Sequence, residues 1–338
     1  MRLPRRARFL AGALLAAALV AVGVLYLVPS DTYIFLPDPA HPVAPLVKIP
    51  GHQVRRDPRG GIYFVDVFVR KATLLEKLFG GLHEGAALHS PADVQPPGVS
   101  EKAQHTTDLR EMARSQDIAA AVALRALGYK VKAQPHGALV QQIGRGAPAD
   151  GKLEPTDVIV AVDGKPVRTP ADLRRLIGLH KPGERVRISF KRGSSLHQLR
   201  LKTIADPRQP KHPLIGVVVS QSATIELPFP VVINSGNVGG PSAGLAFALD
   251  VMEELGRDVD GGHKIAATGE IELGGGVLPI GGVEQKTIGA RRAHVDAFLV
   301  PAGDNAREAR RYAHGLRIIP VTSFQQALRA LATLPKAA

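Results

Sequence analysis

The chain contains no cysteine. That excludes disulfides, thiolate-held metals and a cysteine nucleophile, and leaves the compartment open. Aromatic residues are scarce, at 4% of 338 residues. There is no run of rings on which bases could stack, and the basic residues form no stripe. The 43 Lys and Arg against 30 Asp and Glu give a net charge of 43 − 30 = +13. Such an excess suits an anionic surface, but its scatter speaks against a nucleic-acid partner. Zinc-type ligand spacing is also missing around His263, His294 and His314, so no metal and no cofactor are expected.

Charge is absent from one long segment. Phe9 to Val28, "FLAGALLAAALVAVGVLYLV", holds no ionisable group except Tyr26. Its length matches the roughly 20 residues a bilayer-spanning helix needs. A cleaved signal peptide has a shorter apolar core, of about 7–15 residues. Arg2, Arg5, Arg6 and Arg8 precede the run, which places the N-terminus in the cytoplasm. The expectation is a single-pass anchor in the cell membrane over 1–30, with the rest of the chain outside the cytoplasm. A hydrophobic content of 45% is enough for real cores in the remainder.

Residues 31–60 are proline-rich and read as an irregular lead-in. "GIYFVDVFV", Gly61 to Val69, reads as one strand. Residues 81–107 read as loop, and Asp108 to Leu127 as an amphipathic helix stopped by Gly128. From 129 the chain turns into short strands separated by turn pairs such as Asp163-Gly164. "TPADLRRLIGL" is a helix capped by Thr169 with Pro170 at its first position. Gly146 to Lys152 reads G-x-x-x-x-G-K, but Leu153 stands where a P-loop needs Ser or Thr, so the stretch is read as a turn.

The stretch "GAPADGKLEPTDVIVAVDGKPV" with its adjoining helix resembles a PDZ domain of bacterial proteases. The resemblance implies a groove taking an extended chain end as an added strand. The expected groove strand is Ala138 to Ile143, facing the helix Ala171 to Leu179, with Leu127 to Tyr129 as the carboxylate loop.

"GGPSAGLAFALDVMEEL" then places Ser242 between glycines at the head of a helix. Such a serine is either an N-cap or a nucleophile. The pattern fits G-x-S-x-G, but the α/β-hydrolase elbow needs a strand running straight into the serine. Here a glycine-rich loop comes after Asn234. Asp296 and His314, the partners available downstream, sit in no telling context. A different base is available. In "TGEIELGGGVLPIGGVEQKTIGARRA", Lys286 shares a helix face with Gly282, Gly289, Ala290 and Ala293. Small neighbours allow close packing, which strips water from the amine and lowers its pKa from about 10.4 towards about 7–8. A neutral amine can take a serine proton without any histidine.

"GGPSAGLAFAL", "TGEIELGGGVLPIGGVEQK" and "VPAGDN" together resemble the proteolytic domain of Lon proteases, peptidase family S16. The resemblance implies Ser242 as nucleophile, Lys286 as general base and Thr268 as the residue holding that lysine. The Gly240 and Ser242 amides are the expected oxyanion donors. "GGIYFVDVFV" and "REMARSQDIAAAVALRALG" look like early elements of the same domain. The fold expected is therefore α+β. It has a membrane-proximal segment and first Lon-type part over 31–128, a PDZ domain over 129–205, and the catalytic part over 206–338. The combination is most similar to YlbL-type membrane-anchored PDZ/Lon-like proteases of bacteria. That resemblance implies an ATP-independent serine endopeptidase acting on unfolded or extended polypeptides. Its ring-forming relatives suggest a homo-hexamer. Lon proteases usually carry an acidic residue where this chain has Gly239, and the alternative is therefore a PDZ-bearing scaffold with little or no activity.

Overall fold

The computed structural model describes residues 5–52, 59–94, 101–207 and 209–335. Its principal helices are α1 (Arg5–Leu27), α2 (Leu74–Leu78), α3 (Glu101–Ala126), α4 (Pro170–Ile177), α5 (Gly244–Glu254), α6 (Val283–Arg292), α7 (Asp304–Tyr312) and α8 (Phe324–Ala332). Two units separate. One comprises Met1–Ser115, Val232–Glu270 and Val277–Ala338, the other Gln116–Val231 and Ile271–Gly276. Both mix helices and strands.

The first unit is built on a sheet with spatial order His41–Pro42, Gly61–Phe64, Lys264–Ala267, Ala297–Pro301, Arg317–Val321. The last four strands are parallel. Parallel strands are covered on both faces, and "AFLVP" of Ala297–Pro301 is buried at every position, as that rule requires. α5 is buried from Gly244 to Glu253, and its Phe247 ring meets Phe64 at 6.2 Å. The acidic end of α5 is therefore not a solvated face. Glu253 accepts the Val259 and Asp260 amides at 2.6 and 2.9 Å, which satisfies its buried carboxylate. A smaller antiparallel sheet orders Val67–Thr73, Pro29–Pro37 and Ala87–His89.

Several expectations shift here. The proline-rich lead-in contains the strand Pro29–Pro37, whose two prolines sit only at its ends, where a missing N–H is tolerated. Gly61 to Val69 is two strands, broken at Val65 and Asp66. The expected loop over 81–107 holds the strand Ala87–His89 and the first turns of α3. The polar opening "EKAQHTT" carries no apolar period that would announce a helix. Part of that loop, residues 95–100, lies outside the described residues.

The second unit holds a sheet with order Ser195–Lys202, Arg185–Arg192, Val158–Val162, Lys132–Ile143, Val217–Glu226. Its core gathers Ile159, Ile188, Leu201, Leu173 and Leu176. Thr169 caps α4, accepting the Asp172 amide at 3.0 Å. Asp163 and Gly164 both take positive φ, of 49° and 80°, the geometry of a two-residue hairpin turn. In the P-loop-like stretch the Gly146 amide donates to Asp150 at 2.8 Å and Leu153 is buried.

The groove expectation is corrected. Ala138 to Ile143 is an interior stretch, with Val217–Glu226 pairing antiparallel along its whole length and Val158–Val162 on its other side. The strand at the sheet edge is Val217–Glu226, and α4 packs against it. This β-branched strand lies beyond the PDZ-like stretch of sequence, which is why residue pattern alone groups it with the next domain. At the expected carboxylate loop, Gly128 takes a φ of 89° and the Tyr129 ring meets Phe229 edge-on.

α1 covers the apolar N-terminal run. Among the described residues no helix is long and apolar enough to cross a membrane.

Candidate active site

The site is assembled wholly within the first unit. Val232–Ile233 pairs with Val47–Lys48 and leads into the glycine-rich loop. Gly240 bends this loop at a φ of 81°, a region that favours glycine. Pro241–Ala243 forms one 3-10 turn, and α5 starts at Gly244. Ser242 is not an N-cap. The capping position is Ala243, and no side-chain cap bond forms there. The Ser242 Oγ instead accepts a hydrogen bond from the Lys286 Nζ at 2.8 Å.

Two groups fix the serine backbone from the end of the neighbouring strand. The Gly269 N–H donates to the Ser242 carbonyl at 2.7 Å, and the Thr268 hydroxyl donates to the same oxygen at 3.2 Å. The resemblance gives Thr268 to the lysine. Its hydroxyl donates to the nucleophile's own carbonyl and so steadies the serine. Gly269 has a φ of 154°, and a Cβ there would lie 2.6 Å from Val277, so only glycine fits.

α6 delivers the lysine. Gly282 enters the helix in the left-handed region and accepts the Lys286 amide at 2.9 Å. The small-residue stripe does what its spacing implies. At Gly289 the helix lies against the Asp38 backbone, closer than any Cβ would allow, and Ala40 N–H donates to the Gly289 carbonyl at 3.3 Å. Gln285 reaches the Gly85 carbonyl at 2.8 Å, and Glu84 pairs with Arg291 and Arg292. Asn305, from "VPAGDN", brackets Ile280 just before the helix, accepting its N–H at 2.8 Å and donating to its carbonyl at 3.0 Å.

Packed in this way, Lys286 is 5% exposed. Burial pulls its pKa down to about 8, and the nearby Asp66 opposes the shift. The Asp66 carboxyl is itself pushed up, first by burial and then by Asp38 beside it. His41 bonds Asp38 at 2.9 Å. The ligand atoms of Asp38, His41 and Asp66 lie within 4.8 Å of one another, so this trio has the spacing to hold a cation.

α3 supports the nucleophile loop from the other side. The Gly240 N–H donates to the Asp108 carbonyl at 2.9 Å, and the Ser115 hydroxyl donates to the Pro241 carbonyl at 2.9 Å. The Gly240 amide, expected as an oxyanion donor, is thus engaged in this structure. The Ser242 N–H stands at the open start of the turn, where amides lack an intrahelical acceptor. Burial also pushes Glu111, one turn along from Asp108, up to about 7.

Chemically, the arrangement pairs a hydroxyl with an amine whose neutral form is populated near neutrality. That is the requirement for proton abstraction from serine. Ser242, Lys286, Thr268 and Gly240 are the site residues that the sequence singles out. It does not point to Asp66, Asp108 or Ser115. These meet the site only through tertiary packing, and no local spacing announces them.

Residues 230–333 match the Lon protease (S16) C-terminal proteolytic domain, and residues 125–203 match the PDZ domain. Lon protease 2 of Thermus thermophilus is 50% identical over 62 residues, 18% of this chain and 8% of that protein. Lon protease of Chloroflexus aggregans is 38% identical over 100 residues, 28% of this chain and 12% of that protein. The chain thus spans only about a tenth of the length of these curated relatives. Among solved structures, the PDZ domain of the SdrC-like protein from Listeria monocytogenes is 27% identical, covering 25% of this chain and 87% of that one at a TM-score of 0.23. Residues 125–203 are thus similar to a PDZ domain, and residues 230–333 to the C-terminal proteolytic domain of Lon (S16) proteases.

Proposed function

We propose that the protein is a membrane-anchored serine endopeptidase that cleaves unfolded or extended polypeptides outside the cytoplasm without ATP. The observation that carries this reading is the 2.8 Å contact between Ser242 Oγ and the buried Lys286 amine. Ser242 Oγ attacks the peptide carbonyl carbon as its proton passes to neutral Lys286. The Ser242 amide and the α5 N-terminus face the developing oxyanion. Collapse of the tetrahedral species breaks the C–N bond, and the lysine returns its proton to the leaving amine. Water, deprotonated by the same lysine, then releases the acyl group.

The anchor rests on the uncharged run from Phe9 to Val28 and the arginines before it. ATP independence draws support from the P-loop-like turn, where the Asp150 carboxylate occupies the amide that a phosphate would need. Capture of a chain is assigned to the open edge of Val217–Glu226 beside α4, where an extended peptide can continue the sheet.

The test is cleavage of an unfolded protein by the full chain in detergent, without nucleotide. Ser242→Ala and Lys286→Ala should each lower the rate by at least about a thousandfold while leaving the thermal transition in place. Equal cleavage by either variant would refute the dyad. No cleavage by the wild type would favour a peptide-binding scaffold.

A further inference from the structure

Exposed large apolar side chains are unevenly placed in the first unit. Outside α1 and Val28 they are Phe68, Val69, Leu78, Phe79, Leu82 and Leu88, with Val232 as the sole outlier among the described residues. Six of these seven lie within one stretch of twenty-one residues, 68–88. Leu78 is 64% exposed, Phe79 58% and Leu82 51%. Soluble surfaces do carry single exposed apolar residues, but three strongly exposed ones within five residues, Leu78, Phe79 and Leu82, mark a contact with something apolar.

The location of the group says what that contact is. α2, which ends at Leu78, packs against α1, and the Leu74 amide donates to the Val28 carbonyl at 2.9 Å. The strand Val67–Thr73 also touches α1, and Tyr26 lies close enough to Arg70 to act on its charge. The apolar group thus starts at the level where the chain leaves α1. The ionic groups around it are paired among themselves: Arg70 with Glu76 at 2.6 Å, Lys71 with Glu101 at 3.1 Å, and Lys77 with Asp31. Paired charges leave no large excess of either sign on this face. Its natural partner is then the apolar boundary layer of a bilayer rather than a strongly charged surface.

We infer that α2 and the turn after it, with Leu78, Phe79 and Leu82 as the inserting side chains, sit in the headgroup–acyl boundary of the bilayer. They form a second membrane contact that holds the peptidase unit against the surface from which α1 emerges. This inference rests on the anchor reading of α1. Tyr26 occupies the same interfacial level on the helix, as aromatic residues at helix ends commonly do. The turn "FGGL" lets Phe79 and Leu82 reach past the end of the five-residue α2.

The chain has no tryptophan, so a single introduced indole reports one position without background. The full chain would be reconstituted into phosphatidylcholine–phosphatidylglycerol vesicles as Tyr26→Trp, Phe79→Trp, Leu82→Trp and Val232→Trp, with retained cleavage activity as the check on folding. Fluorescence is read with and without acyl-chain-brominated lipid. Expected are blue-shifted emission and loss of most of its intensity at positions 26, 79 and 82, with position 232, the exposed apolar residue of the same unit outside 68–88, unaffected. If position 26 is quenched but 79 and 82 are not, the second contact is refuted and the anchor stands. If 79 and 82 shift to the blue without quenching, another protein surface covers them and the inference fails. If none is quenched, the anchor reading falls and takes this inference with it. Quenching at 232 as strong as at 79 would also overturn it, because contact would not be confined to this stretch of the unit.

Discussion

The Asp108 carbonyl accepts the Gly240 N–H at 2.9 Å, and the Asp108 Cβ fills the space beside the preceding residue: a Cβ on Gly239 would lie 2.8 Å from it. α3 therefore abuts the nucleophile loop and leaves no room for a side chain at 239. The absence of an acidic residue at 239, where Lon proteases usually carry one, has a steric counterpart in this chain.

Introducing a side chain at that position should accordingly be harmful. Gly239→Asp overpacks the contact and sets a second carboxylate beside Asp108, which burial already pushes upward. The expected loss is about 1–3 kcal/mol of stability, read from denaturant midpoints, together with lower kcat. The Asp108→Ala, Gly239→Asp double variant removes the neighbouring carboxylate but keeps the Cβ, so it should recover only the share of the loss that comes from like charge. A single Gly239→Asp variant as stable and active as the wild type would show that the loop and α3 are not in contact.

Thr268 acts on the serine through its backbone, so its removal should be milder than loss of either dyad member. Losing one buried hydrogen bond costs about 0.5–1.5 kcal/mol. Thr268→Val should thus lower kcat roughly three- to tenfold with little change in KM. Thr268→Ser, which keeps the hydroxyl, should be close to wild type. If Thr268→Val stays close to wild type, or Thr268→Ser falls while Thr268→Val does not, packing of the methyl group rather than the hydroxyl matters.

Lys286 should also leave a mark on stability. Its pKa is held at about 8 in the folded chain against an ordinary 10.5. Below about 8 both states hold the proton. Between about 8 and 10.5 the unfolded state holds more, so this group's contribution to stability rises with pH across that window. Lys286→Met lacks the group. The wild-type-minus-variant difference in unfolding free energy should therefore become more favourable to the wild type from about pH 8 to about pH 10. A difference that is flat with pH would mean that the amine is solvated or already charged in the folded state.

Much of the site is legible in the sequence because its signals are local. Ser242 stands among glycines at a helix head, and Lys286 has a helix face of small residues. That stripe is a packing surface: Gly289 takes the Asp38 backbone where any larger residue would collide. The capped α4 and the Asp163-Gly164 turn are legible for the same reason. The features that escape depend on contacts distant in sequence. Val217–Glu226 completes the sheet of the second unit although it lies outside the PDZ-like pattern. Asp66 lies in a strand break that propensity alone reads through, because "GIYFVDVFV" is rich in β-formers throughout. α3 opens in polar residues with no apolar period. The hydrogen bond from Thr268 to the Ser242 carbonyl is of the same kind, because a hydroxyl's target is set by orientation, which residue order does not encode.

Ser242 is made nucleophilic by a lysine whose buried amine keeps an appreciable neutral fraction near physiological pH. The direct measurement is the rate at which a fluorophosphonate labels the full chain as a function of pH, with the modified residue located by peptide mass spectrometry. One adduct is expected, on Ser242, forming at a rate that rises with pH and levels off above about 8, with no comparable labelling in Lys286→Met. Labelling of Lys286→Met at the wild-type rate, or an adduct on any other residue, would contradict it.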